Sequence, residues 1–343
     1  MSYSHTFALT LLQWFSEHGR ELPWRNTRDP YAIWLSEIIL QQTRIQQGRD
    51  YWERFMQRWP TVEQLAAASE DEVLREWQGL GYYSRARNLH FAARQVVQMG
   101  GFPDRYVDIR SLKGVGDYTA AAIGSMAFDL PTAVVDGNVY RVLSRHFGIE
   151  TPINSTEGKK EFAQLAQELL PVGQAAAYNQ AIMDFGAIQC TPHSPDCSVC
   201  PLQESCMALR EGRISELPVK QRKLEVKERS LAYIYIRCRT AAERQARKPG
   251  LTAIRRRGPG DIWQGLWELV DKDAFTSDEP LVLLRRQVKH VLTHRILYCD
   301  FYLLETERKP QLPDGYKWVD ERELGDYAVP RLIEILLESL PIY

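Results

Sequence analysis

The chain has 343 residues, a formal net charge of −1 at pH 7 and 44% hydrophobic residues. A chain of this length normally forms two or more globular domains. Because the net charge is near zero, bulk electrostatics give no attraction to nucleic acid, and any DNA affinity must come from local groups. We see neither an apolar run of bilayer length nor a secretion signal, so we expect a cytoplasmic protein.

Apolar residues at helical spacing predict a first helix over residues 7–18 and a second over residues 32–45. Glu37 lies on the apolar face of the second helix. Burial there would raise its pKa, and a carboxyl group that stays protonated near neutral pH can act as a general acid. The alternative is a structural glutamate paired with Arg25 or Arg44.

Helical patterns continue from residue 62 to residue 98, with one interruption at GLGYYSRARN, residues 79–88. Two glycines there are followed by two tyrosines and two arginines. Aromatic rings beside guanidinium groups suit wedging between bases while contacting phosphates. The alternative is an ordinary helix–turn–helix with core tyrosines and solvated arginines.

Residues 112–138 contain the turn on which we expect the rest of the chain to be organised. Gly114 and Gly116 precede a predicted helix over residues 117–127, whose free N–H groups and dipole can bind an anion such as a DNA backbone phosphate. Asp136 precedes the next predicted helix and places a carboxylate near this predicted phosphate-binding site. The alternative is an ordinary helix–helix turn in which Asp136 is a helix cap.

Two further helices are predicted over residues 157–170 and 175–188, and the second leads into a cysteine-rich loop. Its four cysteines have the spacing C-x6-C-x2-C-x5-C. In a cytosolic protein such a cluster indicates a metal or iron–sulfur site more often than disulfides. Zinc and a [4Fe–4S] cluster both fit, and spacing alone does not distinguish them. The four residues are Cys190, Cys197, Cys200 and Cys206.

A polar segment over residues 217–229 is a predicted linker, and the residues after it are rich in β-branched and aromatic side chains. They predict an α+β domain over residues 230–343. Its expected elements are strands at 231–238, 251–257 and 296–304 and a final helix at 331–340.

Several motifs in this order resemble the helix-hairpin-helix DNA glycosylase superfamily: LKGVGDYTA, VVDGN and the cysteine loop. Within it, WLSEIILQQT, GLGYYSRARN, GDIWQGLWEL and HVLTHR are similar to the MutY family of adenine DNA glycosylases. The resemblance covers nearly the whole chain. It implies a multidomain protein in which an all-α glycosylase domain over 1–216 precedes a Nudix-like domain over 230–343. The glycosylase domain would comprise a six-helix module at about 23–130 and a cluster module made of the first helix and about 131–216.

The function that the resemblance implies is base excision repair. Such an enzyme flips adenine, mispaired with 8-oxoguanine or guanine, out of duplex DNA and hydrolyses its glycosidic bond. Glu37 would protonate adenine at N7, and Asp136 would stabilise the oxocarbenium-like sugar. Tyr118 stands where bifunctional relatives carry a Schiff-base lysine, so a monofunctional enzyme is expected, with Tyr118 and Asn138 supporting Asp136. The four cysteines would bind a [4Fe–4S] cluster.

The resemblance also implies substrate contacts. Arg25 and Gln180 match positions that contact the flipped adenine. Gln42 and Tyr82 match positions inserted beside 8-oxoguanine, although the neighbouring Tyr83 is an alternative wedge.

The C-terminal domain resembles a Nudix domain that lacks the catalytic box, since residues 268–288 supply no set of carboxylates for magnesium. We therefore expect recognition without hydrolysis. In the family a Phe-Ser-His loop reads 8-oxoguanine, and the matching residues here are Leu292, Thr293 and His294. Hydrogen-bonding groups are kept, but the aromatic ring is replaced.

Two alternatives stay open: another helix-hairpin-helix mismatch glycosylase, and a non-catalytic iron–sulfur protein that binds DNA or senses redox state. Tyr118 and the C-terminal domain disfavour the first. The expected partner is double-stranded DNA containing A:8-oxoguanine or A:G mispairs. No membrane association is expected, and a two-domain clamp on DNA favours a monomer.

Overall fold

The computed structural model describes residues 3–41, 43–221 and 226–340, with side-chain burial from residue 6 onward. Its contacts divide the chain into two compact units. One comprises Met1–Ala67 and Asn88–Arg222, and the other Ala68–Arg87 and Lys223–Tyr343. Within the described ranges, no helix is long and apolar enough to cross a membrane.

The chain up to residue 221 is helical. In chain order its α-helices are α1 (Tyr3–His18), α2 (Pro30–Ile39), α3 (Ile45–Arg58), α4 (Val62–Ala67), α5 (Glu70–Glu76), α6 (Ser84–Gln98), α7 (Tyr106–Ser111), α8 (Asp117–Phe128), α9 (Gly137–Phe147), α10 (Thr156–Leu169), α11 (Ala175–Asp184) and α12 (Met207–Arg210).

The periodicity of α1 explains its place in the core. Phe7, Leu11 and Trp14 follow one another at helical spacing and are buried, whereas Leu9 on the other face is 42% exposed. The buried face joins a cluster that includes Phe162 of α10, together with side chains of α9 and α11. Helices α1, α9, α10 and α11 therefore share one apolar core.

Two predicted helices are shorter than expected. The helix predicted over residues 32–45 ends at Ile39, and α3 begins only at Ile45. A Cβ at Gly48 would lie 2.6 Å from Leu40 Cδ2, so α3 packs closely against the end of α2 and the chain turns between them. Similarly, the helix predicted over 175–188 ends at Asp184 and continues as a π-helical turn, Phe185–Gln189.

The glycine turn before α8 has the conformation that its sequence predicts. Gly114 has φ +80°, and a Cβ there would lie 2.8 Å from Asn88 Cβ. Gly116 caps α8 in extended backbone with no side-chain cap. The first-turn N–H groups of α8 therefore have no capping side chain.

Seven strands of the described residues form the mixed sheet of the second unit. The sheet order is β3-β2-β1-β6-β5, with β4 beside β1 and β7 beside β2, and β1 is parallel to β6. Apolar clusters cover the sheet, and one of them includes the last helix. The elements are β1 (Lys227–Cys238), α13 (Ala241–Gln245), β2 (Leu251–Arg256), β3 (Trp267–Glu268), β4 (Val270–Asp271), β5 (Val282–Leu292), β6 (Arg295–Thr306), β7 (Tyr316–Asp320) and α14 (Arg331–Leu337).

The second unit also contains residues 68–87, a segment that the sequence analysis placed in the glycosylase domain. Ion pairs join it to the sheet domain: Arg75 to Asp326 at 2.8 Å, and Arg256 to Glu70 at 2.8 Å. The segment predicted to wedge between bases therefore belongs to the same compact unit as the Nudix-like sheet.

The packing of α1 gives a stability prediction. Leu11→Ala should lower the free energy of unfolding by about 2–5 kcal/mol, because Leu11 is fully buried and its removal leaves a cavity. Leu9→Ala makes the same chemical change on the exposed face and should cost less than about 1 kcal/mol. Urea unfolding followed by the helical circular dichroism signal measures both. Equal losses for the two variants would contradict the assigned core face.

Candidate active site

Glu37 is held in the interior by a helix that is buried along almost its whole length. The residues of α2 from Tyr31 to Ile39 are all buried, and Glu37 is 8% exposed. Its carboxyl group lines a cavity of about 320 Å³ that Asp136 also lines. The volume is within the range of small-ligand pockets, about 300–1,000 Å³. The two predicted acidic residues therefore face one cavity.

Asp136 is the N-cap of α9. Its Oδ1 accepts hydrogen bonds from the backbone N–H groups of Asn138 at 2.9 Å and Val139 at 2.8 Å, and its Oδ2 accepts from Asn138 Nδ2 at 2.8 Å. Three donors and the positive end of a helix dipole favour the ionised form. The alternative interpretation of Asp136 as a cap is correct, and the cap also lines the cavity.

The environments of the two carboxyl groups separate their roles. Burial and, to a lesser extent, the charge of Asp136 raise the pKa of Glu37 to about 7, although a hydrogen bond from Tyr118 and the charge of Arg25 oppose the increase. Burial also leaves the pKa of Asp136 above its usual value, but hydrogen bonds from Val139 and Asn138 limit the increase. Glu37 is thus suited to hold a proton near neutral pH, whereas Asp136 is built to accept N–H donors.

Tyr118 lies beside these carboxyl groups on α8. Its hydroxyl donates to Met183 Sδ at 3.4 Å, and its hydrogen bond to Glu37 lowers the pKa of that acid. Burial, followed by the charges of Glu37 and Asp136, raises the pKa of Tyr118 well above its usual value, so the phenol stays neutral. Position 118 therefore contributes a hydroxyl donor and no amine.

Arg25 also lines the cavity, but its partner was not predicted. Its two terminal nitrogens each donate at 2.7 Å to Asp184, whose side chain is fully buried at the end of α11. Arg20 binds the same carboxylate through its backbone N and Nε, both at 2.9 Å. Burial would raise the pKa of Asp184, but hydrogen bonds from Arg25 and Arg20 lower it overall. Asp184 thus fixes two cationic groups at the cavity wall.

The other predicted adenine contact, Gln180, is a half-buried residue of α11, one turn before Met183 and Asp184. It is not among the residues that line the cavity. Gln42 lies outside the described residues. Sequence reasoning missed Arg20 and Asp184, and no motif marks either of them.

Among the described residues, those expected to contact 8-oxoguanine lie in the second unit. Tyr82 is 47% exposed with φ +45°, whereas Tyr83 is 8% exposed. Thr293 and His294 are exposed in the turn between β5 and β6, and the hydroxyl groups of Tyr82 and Thr293 are in contact. Leu292 is half-buried at the end of β5. Tyr82, the predicted wedge, is therefore in contact with the turn that carries Thr293 and His294.

The four cysteines of the loop line one cavity next to α9. Arg145 of α9 donates from Nη1 to Cys190 Sγ at 3.4 Å, and its carbonyl accepts from Cys206 Sγ at 3.6 Å. Burial raises the pKa of Cys200 to about 11. Across the described part of the chain, no three His, Cys, Asp or Glu side chains are arranged to hold a single metal ion.

The chain matches known families along both units. The model of the HhH-GPD superfamily of base excision DNA repair proteins matches residues 35–171, and that of the NUDIX domain matches residues 245–339. The adenine DNA glycosylase of Mus musculus is 34% identical over 94% of this chain and 75% of its own length. That of Buchnera aphidicola subsp. Acyrthosiphon pisum (strain APS) is 33% identical over 98% of this chain and 97% of its own. This chain belongs to the adenine DNA glycosylase family.

Membership of this family makes the chain a DNA N-glycosylase, a hydrolase of N-glycosyl bonds, and confirms the predicted order of domains. Among solved structures, a thermostable thymine-DNA glycosylase aligns with a TM-score of 0.56 and 33% identity over 60% of this chain and 96% of its own. An endonuclease III trapped on DNA aligns with a TM-score of 0.54 and 21% identity over 62% of this chain and 99% of its own. The second likeness supports the helical fold alone.

The arginine pair on Asp184 gives a stability prediction. Asp184→Asn should lower the free energy of unfolding by roughly 3–5 kcal/mol, because two guanidinium groups lose a fully buried carboxylate that both of them bind. Since pairing lowers the pKa of Asp184, this stabilisation is present at neutral pH and is lost as the pH falls through its folded-state pKa. Thermal unfolding at several pH values measures it.

The matched control is Asp129→Asn. Asp129 pairs with Arg28, but both side chains are more than half exposed, so the change should cost less than about 1 kcal/mol. If Asp184→Asn and Asp129→Asn had the same melting temperature, the buried ion pairs of Asp184 would not stabilise this wall of the cavity.

Proposed function

We propose that this enzyme removes adenine mispaired with 8-oxoguanine or guanine from duplex DNA, and that it has no strand-cleaving lyase activity. The observation that carries the proposal is the shared cavity of Glu37 and Asp136, with one carboxyl group of raised pKa facing a capped carboxylate. The family supports adenine as the base.

The geometry supports a dissociative hydrolysis. The glycosidic bond is inaccessible inside the base stack, so the adenine must first rotate into the cavity. The Glu37 carboxyl group then gives its proton to N7 of the purine, and the bonding electrons leave with the base. Asp136 faces the positive charge that develops on the sugar and stabilises it electrostatically. Water adds to the anomeric carbon, and its proton is released.

The lack of lyase activity follows from the side chain at position 118. A lyase of this fold needs an amine that attacks the sugar and forms a Schiff base. The Tyr118 hydroxyl is neutral and hydrogen-bonded, and its pKa is raised by burial, so it is a poor nucleophile. We assign Tyr118 to orienting Glu37, and Asn138 to orienting Asp136 through the 2.8 Å hydrogen bond.

Arg25 is our candidate contact to the flipped base, with Gln180 as a second. Arg25 lines the cavity and is held in one orientation by both oxygens of Asp184. A guanidinium group fixed in this way can donate to purine ring nitrogens without the entropy loss of ordering a free side chain.

We assign 8-oxoguanine recognition to the second unit. Tyr82 is exposed and Tyr83 is buried, which favours Tyr82 as the wedge. Thr293 and His294 present a hydroxyl and an imidazole at the turn that contacts Tyr82. Leu292 offers apolar contact in place of an aromatic stack. We also assign the uncapped N–H groups after Gly114 and Gly116 to a backbone phosphate.

We propose that the four cysteines bind a [4Fe–4S] cluster. They line one cavity, and their thiolates are the ligand type that such a cluster requires. A tetrahedral zinc site needs four sulfurs at about 2.3 Å from one point, whereas a cubane takes each thiolate on a separate iron. The bound cluster would cross-link the loop to α9 through Arg145, whose side chain already donates to Cys190.

The first test is excision by Glu37→Gln. The substitution keeps the shape of the side chain but removes the transferable proton, so the single-turnover rate on an A:8-oxoguanine duplex should fall at least about 100-fold. Alkali treatment reports excision as strand scission, and scission without alkali reports lyase activity. The control Glu63→Gln changes an exposed glutamate and should act like the parent.

Equal rates for Glu37→Gln and the parent would reject the proposed acid. If the enzyme released thymine from a G:T duplex faster than adenine from an A:8-oxoguanine duplex, thymine would be the preferred base, as in the thymine-DNA glycosylase whose structure aligns with this chain. Scission without alkali would reject the monofunctional assignment.

The raised pKa of Glu37 predicts the pH dependence. A general acid acts in its protonated form, so the single-turnover rate should decrease as the pH rises above about 7. The rate should also decrease at acid pH, where Asp136 becomes protonated. The decrease in rate above about pH 7 should be absent from the pH profile of the residual activity of Glu37→Gln. A rate constant that still increases between pH 7 and pH 9 would contradict this assignment.

The cluster proposal predicts a coloured protein. The purified chain should absorb visible light and contain about four iron atoms per molecule. Cys197→Ser should lose the absorption, whereas Cys299→Ser, at a cysteine outside the loop, should keep it. A colourless protein with one zinc atom per chain would reject the cluster.

A further inference from the structure

In the second unit, three arginines surround the single carboxylate of Asp261. Arg229 Nη1 lies 2.8 Å and 2.7 Å from its two oxygens, Arg257 Nη2 lies 2.8 Å from Oδ2, and Arg295 Nη1 lies 3.3 Å from Oδ1. We call these four residues the Asp261 cluster. One carboxylate cannot balance three guanidinium groups.

The neighbouring charges leave the imbalance in place. Arg257 also contacts Glu268, a buried carboxylate that Arg255 binds at 2.6 Å. The charge of Asp271 also acts on Arg255. Together these groups hold four positive and three negative charges among the described residues. Glu228, between Lys227 and Arg229 in β1, accepts from Tyr298 at 3.4 Å, and alternation along the strand points it away from Arg229. The excess is therefore a net charge of about +1.

The excess charge faces solvent. The side chain of Arg257 is only 10% exposed, whereas those of Arg229 and Arg295 are 37% and 40% exposed, and Asp261 is 34% exposed. Arg229 and Arg295 each contact Asp261 through Nη1, and their remaining nitrogens donate to no other group in the described part of the chain. Two guanidinium groups anchored at one carboxylate thus present free side-chain donors outward.

The Asp261 cluster lies at the base of the turn assigned to lesion recognition. Arg295 follows His294 directly and begins β6. β1 runs parallel to it, with Lys227 in register with Arg295 and the Lys227 N–H bonded to the His294 carbonyl at 3.1 Å. Arg229 lies two residues farther along β1, on the same face as Lys227. A nucleic-acid strand that reaches this turn passes the cluster.

We propose that the Asp261 cluster binds a backbone phosphate of duplex DNA, next to the base that the turn contacts. The phosphate oxygens accept the outward N–H groups of Arg229 and Arg295, while Asp261 holds both guanidinium groups in place. The location beside a lesion rests on the proposed function, but the phosphate contact does not depend on base identity. The contact therefore has a sequence-independent signature.

The test is the salt dependence of binding to an undamaged duplex, which is neither a lesion substrate nor cleaved. Each phosphate contact adds about 0.9 to the slope of log Kd against log salt concentration. Arg229→Gln/Arg295→Gln should reduce the slope by about 0.9 and weaken binding at low salt. Arg322→Gln/Arg331→Gln removes the same charge from exposed arginines paired elsewhere, and should leave the slope unchanged.

Asp261→Asn separates a phosphate site from a structural ion network. Removing the carboxylate leaves all the arginines, so the slope should be equal to that of the parent or steeper. A structural network predicts a lower melting temperature for the double variant with an unchanged slope, and this result would overturn the proposal. If the double variant does not fold, a shallower slope for Asp261→Asn would overturn it alone. Loss of adenine excision by the parent would instead reject the proposed function and leave this measurement standing.

Discussion

A carboxyl group buried against a second carboxyl group is the constraint on which the catalytic unit depends. Glu37 lies on a helix whose residues from Tyr31 to Ile39 are all buried, so its ionised form is penalised by desolvation and by the charge of Asp136. The shared core of the surrounding helices stabilises this unfavourable arrangement. The environment of Asp136 differs from that of Glu37, because the N-terminus of α9 supplies backbone N–H groups that donate hydrogen bonds to the Asp136 carboxylate. One cavity thus holds an acid and an anion.

The sequence predicted the two acids because each has a local signature. Glu37 interrupts an apolar helical period, and Asp136 stands directly before a helix. The alternative, a structural glutamate paired with Arg25 or Arg44, did not anticipate that the guanidinium group of Arg25 binds Asp184. That partner lies 159 residues away at the end of a helix, where no local pattern relates the two. Propensity and periodicity describe neighbours in sequence, whereas the cavity wall is built from distant ones.

The same limit applies to the division into units. The helical content of residues 68–87 gave no indication that they pack with the sheet, because the joining pairs, such as Arg75 with Asp326, involve polar surface residues 251 positions apart. Strands β1, β2 and β6 were predicted from β-branched and aromatic runs. The Asp261 cluster was not, since arginines at three separate positions converge only after β1 and β6 pair.

A titration of the Glu37 carboxyl group itself is the most direct test of its raised pKa. Infrared difference spectra between the parent and Glu37→Gln isolate the signal of its protonated form. We predict a midpoint near 7, and a lower midpoint when Asp136→Asn removes the neighbouring negative charge. A midpoint near 4.5, the ordinary value for glutamate, with no response to Asp136→Asn, would contradict it.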